Sequence, residues 1–283
     1  MVLVALVLGG GLVLYTVGPE FPGRQWRWDA LAVYVWRGAG RPGLLLEGLA
    51  TTLRLTFWAT AWAMGFGMLA GLARVSSSVY LRLMGWTYVE FCRNIPPLVL
   101  VFLCYFFLGD QLARLFSMQD ALRVAPEAFR QAALIALGRL DQVDAFATAA
   151  FTLGLYEGAY VAEIVRGGIE SIGQGQWDAG QALGFSRVRV LWLVILPQAM
   201  RSMLPPLAGQ LISTIKDSAI VSVISIQELT FQGMQIMATT YLTFEVWTCV
   251  AAMYFVLTCT CSLFGSAVEH WLERSLRTGQ AKM

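Results

Sequence analysis

The chain has 283 residues, of which 57% are hydrophobic and only 13% are charged, about half the charged fraction of a soluble domain. With 20 Lys and Arg against 18 Asp and Glu, the net charge of +2 excludes a basic nucleic-acid-binding surface. The five cysteines form no CxxC pair and His270 is the only histidine, so a disulfide scaffold and a zinc site are both excluded.

The chain begins with an apolar run over residues 1–17 that contains no Lys or Arg. A membrane-spanning helix is favoured over a signal peptide, because the basic n-region and the small-x-small cleavage site are missing. The missing basic leader is also compatible with a natural chain that starts further upstream. Residues 18–48 then combine three prolines with tryptophans and a tyrosine, which is typical of a segment lying in the headgroup layer.

Five further apolar stretches approach the roughly 20 residues that a membrane-spanning helix needs. They are 49–73, 95–109, 145–165, 204–225 and 246–268. The second is short, and its helix is expected to extend back through Val89 and Trp86. Residues 110–144 mix acidic residues with arginines and predict a small helical excursion outside the cytoplasm. The distribution of Lys and Arg favours a cytoplasmic location for both chain ends and for residues 166–203.

Several charged residues fall inside these spans, where contact with lipid would cost a few kcal/mol. They are therefore expected to face protein or a water-filled cavity. Arg54 sits near a span end and is expected to snorkel to the interface rather than to contact substrate. Glu163 and Arg166 are three residues apart on one helix face and are expected to form a structural ion pair.

Glu157 lies near the centre of its span, and Lys216 and Asp217 lie inside the next one. Lys216 and Asp217 point about 100° apart on a helix, so they cannot share one partner. Two interpretations stay open. Lys216 pairs with Glu157 between the two spans, or these three residues and Ser218 contact the carboxylate and ammonium of a substrate along its path.

The loop at 166–203 carries the most specific pattern in the chain. The stretch from Gly175 to Gly184 predicts a short helix with a glycine at each end. Ser186 is expected to cap a second helix that runs to about Leu196, before Pro197. An amphipathic connector is the simpler alternative. On the short helix Ala179 and Leu183 lie one turn apart, as do Gly180 and Gly184, so a partner protein could approach its backbone closely.

This pattern resembles the EAA signature of permeases of bacterial ABC importers, written E-A-A-x3-G-x9-I-x-L-P. The matching residues are Asp178, Ala179, Gly180, Gly184, Val194, Leu196 and Pro197. Three of them depart from the signature: Asp178 replaces Glu, Gly180 replaces the second Ala and Val194 replaces Ile. The resemblance assigns contact with the ATPase to Gly175, Asp178, Ala179, Gly180, Leu183, Gly184, Leu196 and Pro197.

Further stretches resemble the histidine permease group, which imports polar amino acids. They are EFCRNIPPLV at 90–99, GAYVAEIVRGGI at 158–169, KDSAI at 216–220 and QEL at 227–229. The likeness covers about residues 48–272. The sequence RNIPPL at residues 93–98 is more similar to the glutamate and aspartate branch than to the arginine and histidine permeases.

The resemblance implies an all-α membrane protein with about six transmembrane helices, five in the core and one N-terminal, in the type I ABC importer permease fold with a cytoplasmic coupling helix. Its domains would be an N-terminal helix with a periplasmic interfacial segment at 1–47, the permease domain at 48–272 and a cytoplasmic tail at 273–283. The protein would lie in the bacterial inner membrane, surrounded by lipid.

The implied partners are an ABC ATPase dimer, a second permease subunit in a heterodimer rather than a homodimer, and a periplasmic amino-acid-binding protein. The chain has no GxxxxGK[ST] and only two lysines, Lys216 and Lys282, so it has no Walker loop of its own. ATP and Mg would be bound by the ATPase subunits, whose closure would move the coupling helix and drive alternating access.

Two other classes of protein fit the sequence less well. An ion-coupled secondary amino acid transporter is the main alternative, but the hydropathy pattern contains no inverted repeat. A membrane enzyme is remote, because one histidine and no clustered carboxylates leave no catalytic set and no metal ligands. The sequence leaves open which amino acid is carried and whether this subunit contacts it.

Overall fold

The computed structural model describes residues 26–38, 40–109, 111 and 118–280. The α-helices of these residues are numbered α1 to α12 in chain order. They are Trp28–Val35, Leu44–Arg74, Val79–Asn94, Pro97–Leu103, Met118–Val124, Glu127–Leu137, Val143–Glu170, Gln174–Ala182, Arg187–Val190, Leu196–Asp217, Leu229–Thr240 and Thr243–Gln280. The described part of the chain contains no β-strand, only an isolated bridge between Trp36 and Pro42.

Helices α2 and α7 form the centre of the bundle and run parallel in close contact. Glycines make this approach possible: a Cβ atom on Gly67 would lie 2.4 Å from Val161 Cβ, and one on Gly154 would lie 2.4 Å from Trp62 Cβ. Small residues at such contacts let helix backbones pack closely where lipid supplies no hydrophobic driving force. Much of α7 is buried by its neighbours, which explains how this helix accommodates polar side chains.

The predicted helix through Trp86, Val89 and the run at 95–109 is wrong as a single element. Helices α3 and α4 meet at a bend of 112°. Ile95 is extended, with φ −99° and ψ 136°, because the proline that follows disfavours the helical conformation at this residue. Pro96 and Pro97 also lack the N–H groups that would continue the helix. A π-helical turn, Cys104–Leu108, extends α4.

The predicted helix end before Pro197 is also wrong. From Arg187 to Ile224 the chain forms one continuous 38-residue helical stretch. In a regular α-helix the ring of Pro197 would strike the carbonyl of Leu193. Leu193 lies instead in a π-helical turn, Leu191–Ile195, whose wider path accommodates the proline. The stretch ends in a 3-10 helix, Ser218–Ile224.

Three stretches of the described chain are long and apolar enough to cross a membrane, and the bent pair α3–α4 makes a fourth if it counts as one span. The three are Leu44–Arg74, Arg187–Ile224 and Thr243–Ala267. At 28 residues, α7 is about 42 Å long and also exceeds the hydrocarbon thickness, but it is less apolar. The apolar run at 1–17 lies outside the described residues, so the total of six spans stays a prediction.

The excursion predicted at 110–144 is helical where the structure describes it. Helices α5 and α6 and a 3-10 turn, Leu140–Gln142, pack beside the N-terminal halves of α2 and α7. Asp144 in the first turn of α7 accepts hydrogen bonds from the backbone of Met118 at 2.9 Å and Gln119 at 3.2 Å. The excursion therefore lies at the end of the bundle opposite to α8, which follows the last turn of α7.

Candidate functional site

Helix α8 has the predicted position and the predicted glycine at its end. The backbone N–H of Phe185 donates to Gly180 O at 3.2 Å, and that of Gly184 donates to Gln181 O at 2.9 Å. These two bonds are those of a Schellman cap, and Gly184 supplies the left-handed conformation with φ +82°. At the other end the N-cap is Gly173, whereas Gly175 lies inside the first turn and so caps nothing.

The expectation that Gly180 faces a partner protein is wrong. Gly180 is the buried residue of α8, and a Cβ atom there would lie 2.7 Å from Cγ2 of Val190 in α9. Val190 is itself fully buried. Gly180 is therefore required for packing between α8 and α9 of the same chain.

The opposite face of α8 is open. Asp178, Ala179 and Leu183 are exposed, and Leu183 shows 76% of its surface. Asp178 accepts a hydrogen bond from Gln174 at 3.1 Å within the helix. An exposed leucine beside an exposed alanine gives this short helix a small apolar surface at the end of the bundle.

The inner face of α8 fixes the helix to the body of the protein. Trp177 packs against the core, and the Arg187 guanidinium lies 5.4 Å from the centre of its ring. Gln198 in α10 donates to Gln176 at 3.3 Å. These contacts link α8 to the 38-residue stretch, in which Leu196 is half-buried and Pro197 is exposed. A displacement of α8 would therefore act directly on that stretch.

The pairing of Glu157 with Lys216 does not occur in the structure. Glu157 is fully buried and accepts a hydrogen bond from Gln210 of α10, and the Asp217 carboxyl group also lies within reach of it. Lys216 is exposed, and the described residues include no ion pair that involves it. The hydroxyl of buried Ser218 donates to Ile215 O at 2.7 Å. The structure thus brings together Glu157 and Asp217, and separates Lys216 from them.

One oxygen of this buried group has no partner. Oε1 of Glu157 is inaccessible to solvent and accepts no hydrogen bond from the N–H and O–H donors of the described residues, while the Asp217 carboxyl group lies beside Glu157. A buried carboxylate oxygen without a partner is costly, so such a group is a candidate for a ligand contact.

Glu163 is the centre of an ion-pair network. Its carboxylate contacts Arg166 at 2.8 Å in the same helix, Arg74 of α2 at 2.5 Å and Arg93 of α3 at 3.1 Å. Arg166 also pairs with Glu170. The structure therefore contains the ion pair expected from spacing, and it adds two arginines that no local pattern indicates because they lie on other helices.

Glu228, within the QEL motif, caps the start of α11, a role that the sequence did not predict. It is fully buried at the N-cap of α11, where its side chain accepts hydrogen bonds from the backbone of Thr230 at 2.9 Å and Phe231 at 2.8 Å. The Tyr254 hydroxyl of α12 donates to it at 2.8 Å. An acidic residue directly before a helix is the signal that could have identified this cap.

Arg54 lies on the edge of a cavity of about 580 Å³ at the end of the bundle opposite to α8. Helix α2 begins at Leu44, so Arg54 is its eleventh residue and lies deeper in the helix than the predicted span, which began at residue 49, implied. Arg54 faces the cavity, whose polar lining also includes Arg139 and Gln232.

A bundle of long apolar helices with buried charges held between them is the architecture of a multi-pass membrane protein. The chain belongs to the family described as the inner membrane component of binding-protein-dependent transport systems, whose sequence profile matches residues 63–278. It is accordingly a permease subunit of the ABC importer class and an inner membrane protein.

Known relatives are similar in sequence to this chain over most of its length. It is 36% identical over 226 residues to the glutamine transport system permease protein GlnP of Escherichia coli (strain K12), covering 80% of this chain and 91% of GlnP. It is 31% identical over 238 residues to the glutamate transport system permease protein GluD of Corynebacterium glutamicum, covering 84% of this chain and 77% of GluD.

A solved structure supports the same fold. The chain resembles the crystal structure of an amino acid ABC transporter with histidines, with a TM-score of 0.63, 34% identity and coverage of 80% of this chain and 93% of that chain. The type I ABC importer permease fold implied by the sequence is thereby confirmed. Among the described residues no group of three or more His, Cys, Asp and Glu side chains could hold a metal ion.

Proposed function

We propose that this chain is the membrane-spanning permease subunit of an importer for polar amino acids. Family membership makes it a permease, and the names of its relatives, which refer to glutamine and glutamate, support the amino acid substrate. The observation that carries the proposal is the geometry of α8, whose glycine cap and exposed apolar face fit a docking helix. The glutamate and aspartate branch stays a prediction.

Helix α8 is the coupling helix and docks on an ABC ATPase dimer in the cytoplasm. Its exposed face, Asp178, Ala179 and Leu183, meets the ATPase, while Gly180 and Trp177 hold it against its own chain. Motion of the ATPase then reaches α10 through the contacts between α8, α9 and the π-helical turn. Leu196 and Pro197 act by shaping these elements, and Gly184 by ending the helix. Gly175 is exposed in the first turn of α8, where the ATPase can approach it.

The remaining partners complete the importer. A second permease subunit forms a heterodimer with this chain, and a periplasmic amino-acid-binding protein delivers the substrate at the end opposite to α8. ATP and Mg²⁺ bind to the ATPase subunits, which the lack of a Walker loop in this sequence supports.

The substrate path passes Glu157 and Asp217. The unpartnered Oε1 of Glu157 accepts a hydrogen bond from the ammonium group or the side chain of the substrate. Lys216 lies exposed about 100° around α10 and can meet a carboxylate. Ser218 supports the start of the 3-10 helix by its bond to Ile215 O, so its part in the path is indirect.

Substitution at the exposed face of α8 tests the docking. We expect Leu183→Arg to leave the permease folded and to release the ATPase in a pull-down from detergent extracts, because a charge replaces an apolar contact. Val124→Arg is the matched control, since Val124 is 86% exposed on α5 at the other end of the bundle. Retention of the ATPase by Leu183→Arg together with wild-type uptake would contradict the docking assignment.

The sidedness is tested by single cysteines in a cysteine-free background. We expect a cysteine at Val124 to react with an impermeant thiol reagent only from outside intact cells, and one at Ser186 only after the cytoplasmic face is opened. Reversed labelling would overturn the orientation.

A further inference from the structure

The cavity at the end opposite to α8 is lined by polar and non-polar residues in equal number. Its volume of about 580 Å³ lies within the range of small-molecule sites, about 300–1,000 Å³. The polar lining includes Glu47, Thr51, Arg54, Arg139, Gln142 and Gln232. Glu47, Thr51 and Arg54 are spaced i, i+4, i+7 and share one face of α2.

Among the described residues, no acid forms an ion pair with Arg54. Its guanidinium makes no ion pair or hydrogen bond with any described residue, although the side chain is half-buried. Arg139 is already bound to Asp141 at 3.1 Å, and its hydrogen bond lowers the pKa of that carboxyl group. Glu47 has an ion pair with Arg37 at 3.6 Å. Arg54 is therefore available to an anionic ligand.

Gln232 supplies a second, independent sign of a ligand. It lines the cavity from α11, only 3% of it is exposed, and its amide oxygen has no hydrogen-bond partner among the described residues. Buried polar atoms are nearly always paired in native proteins, so each exception calls for a partner. A side-chain amide can both donate and accept, and it can therefore serve either charged end of a zwitterion.

We propose that this cavity is a second binding site for the free amino acid, in which Arg54 holds the α-carboxylate and the amide oxygen of Gln232 receives the ammonium group. A planar guanidinium matches a carboxylate with two parallel hydrogen bonds. The inference rests on the proposed function for the ligand and for the side of the membrane, since the cavity then opens toward the periplasmic binding protein.

The cavity is separate from the buried group at Glu157. Phe146 lines the cavity, and Glu157 lies 11 residues further along α7, about 16 Å along the helix axis. The site is thus an entry vestibule, which would receive the amino acid on release from the binding protein and before it reaches Glu157.

Direct binding to the purified importer in lipid nanodiscs, without its binding protein, tests the site. Radiolabelled L-glutamine, L-glutamate and L-arginine are used in turn, in a Glu157→Gln, Lys216→Met background that removes the central contacts. We expect binding of at least one probe to persist there, to weaken at least tenfold on Arg54→Gln, and to be weakened less by Arg54→Lys. The carboxamide of the same amino acid, which lacks the carboxylate, should not compete.

Arg123→Gln is the matched control, because Arg123 is an exposed arginine on α5 that does not line the cavity. Equal binding by Arg54→Gln and Arg123→Gln, or no binding of any probe in this background while the wild-type importer transports it, would overturn the inference and leave the proposed function standing. Loss of binding-protein association in Arg54→Gln with unchanged amino acid binding would also overturn it, since Arg54 would then hold a carboxylate of that protein. Absence of uptake of all three probes by the wild-type importer would overturn the proposed function and this inference together.

Discussion

Three glycines of the coupling helix have different physical roles. Gly184 has a φ of +82°, which an L-residue adopts only at a cost of about 1–2 kcal/mol. Gly180 has no space for a side chain beside Val190, and Gly175 is exposed in the first turn with open space around it. The first is required by backbone conformation, the second by packing, and the third by neither.

Alanine at the two exposed glycines should therefore change stability in opposite directions. We expect Gly184→Ala to lower the free energy of unfolding by about 1 kcal/mol, and Gly175→Ala to raise it by up to about 1 kcal/mol because alanine favours the helix. Thermal unfolding of the purified protein measures both. Equal shifts of the same sign would show that the left-handed cap is not what Gly184 provides.

Under the proposed function, the substrate path depends on Glu157. Glu157→Gln keeps the shape of the side chain and its contact with Gln210 but removes the charge, so we expect a folded protein whose uptake is at least tenfold lower, equivalent to about 1.4 kcal/mol. Glu127→Gln, on exposed α6, is the control. Uptake near the wild-type rate in a well-expressed Glu157→Gln variant would remove Glu157 from the path.

At the scale of elements, the coupling loop is stable because α8 packs on α9 of the same chain. We expect Gly180→Ala to destabilise the protein, since its Cβ would approach the stiff, buried side chain of Val190, and Val190→Ala to restore stability in the double variant. A double-mutant cycle on thermal unfolding measures this coupling. Additive effects of the two substitutions would mean that they do not interact.

The Glu163 network joins α2, α3 and α7. Glu163→Gln leaves Arg74, which is only 10% exposed, without its carboxylate, and we expect a loss of about 2 kcal/mol in the free energy of unfolding. Glu170→Gln is the matched control, because Glu170 is 56% exposed and exposed ion pairs contribute less than about 1 kcal/mol. Thermal or denaturant unfolding measures both losses. An equally small loss of unfolding free energy in the two variants would contradict the role of Glu163 as the centre of the network.

Local turn chemistry explains which elements the sequence could predict. The glycine cap of α8 depends on neighbouring backbone groups, and its position was predicted correctly. Prolines were less informative, because Pro96 and Pro97 bend the chain by 112° while Pro197 is accommodated by a π-helical turn. A sequence shows that a proline disturbs a helix, but whether the helix bends or widens depends on the helices packed around it.

Contacts between helices that are distant in the chain could not be predicted from the sequence for a similar reason. Lys216 and Asp217 are adjacent, so only one of them can face α7, and the rotation of α10 decides which. The structure turns Asp217 toward Glu157 and leaves Lys216 exposed. The arginines around Glu163 and the cavity beside Arg54 likewise depend on side chains brought together from separate parts of the chain.

At the scale of the whole molecule, we propose that a partner ATPase drives passage of an amino acid through this bundle. The two ends of the bundle have different features, the coupling helix at one and the cavity beside Arg54 at the other. In a type I importer these ends serve energy input and substrate entry. An ion-coupled transporter would need neither a docking helix nor a binding protein.

Uptake by the complete importer reconstituted in liposomes tests this claim most directly. Purified permeases, ATPase and binding protein are combined, and accumulation of radiolabelled L-glutamine and L-glutamate is followed with and without ATP, with and without the binding protein, and with an imposed proton or sodium gradient. We expect accumulation only when ATP and the loaded binding protein are both present, and none from an ion gradient alone. Accumulation driven by an ion gradient in the absence of the ATPase would contradict it.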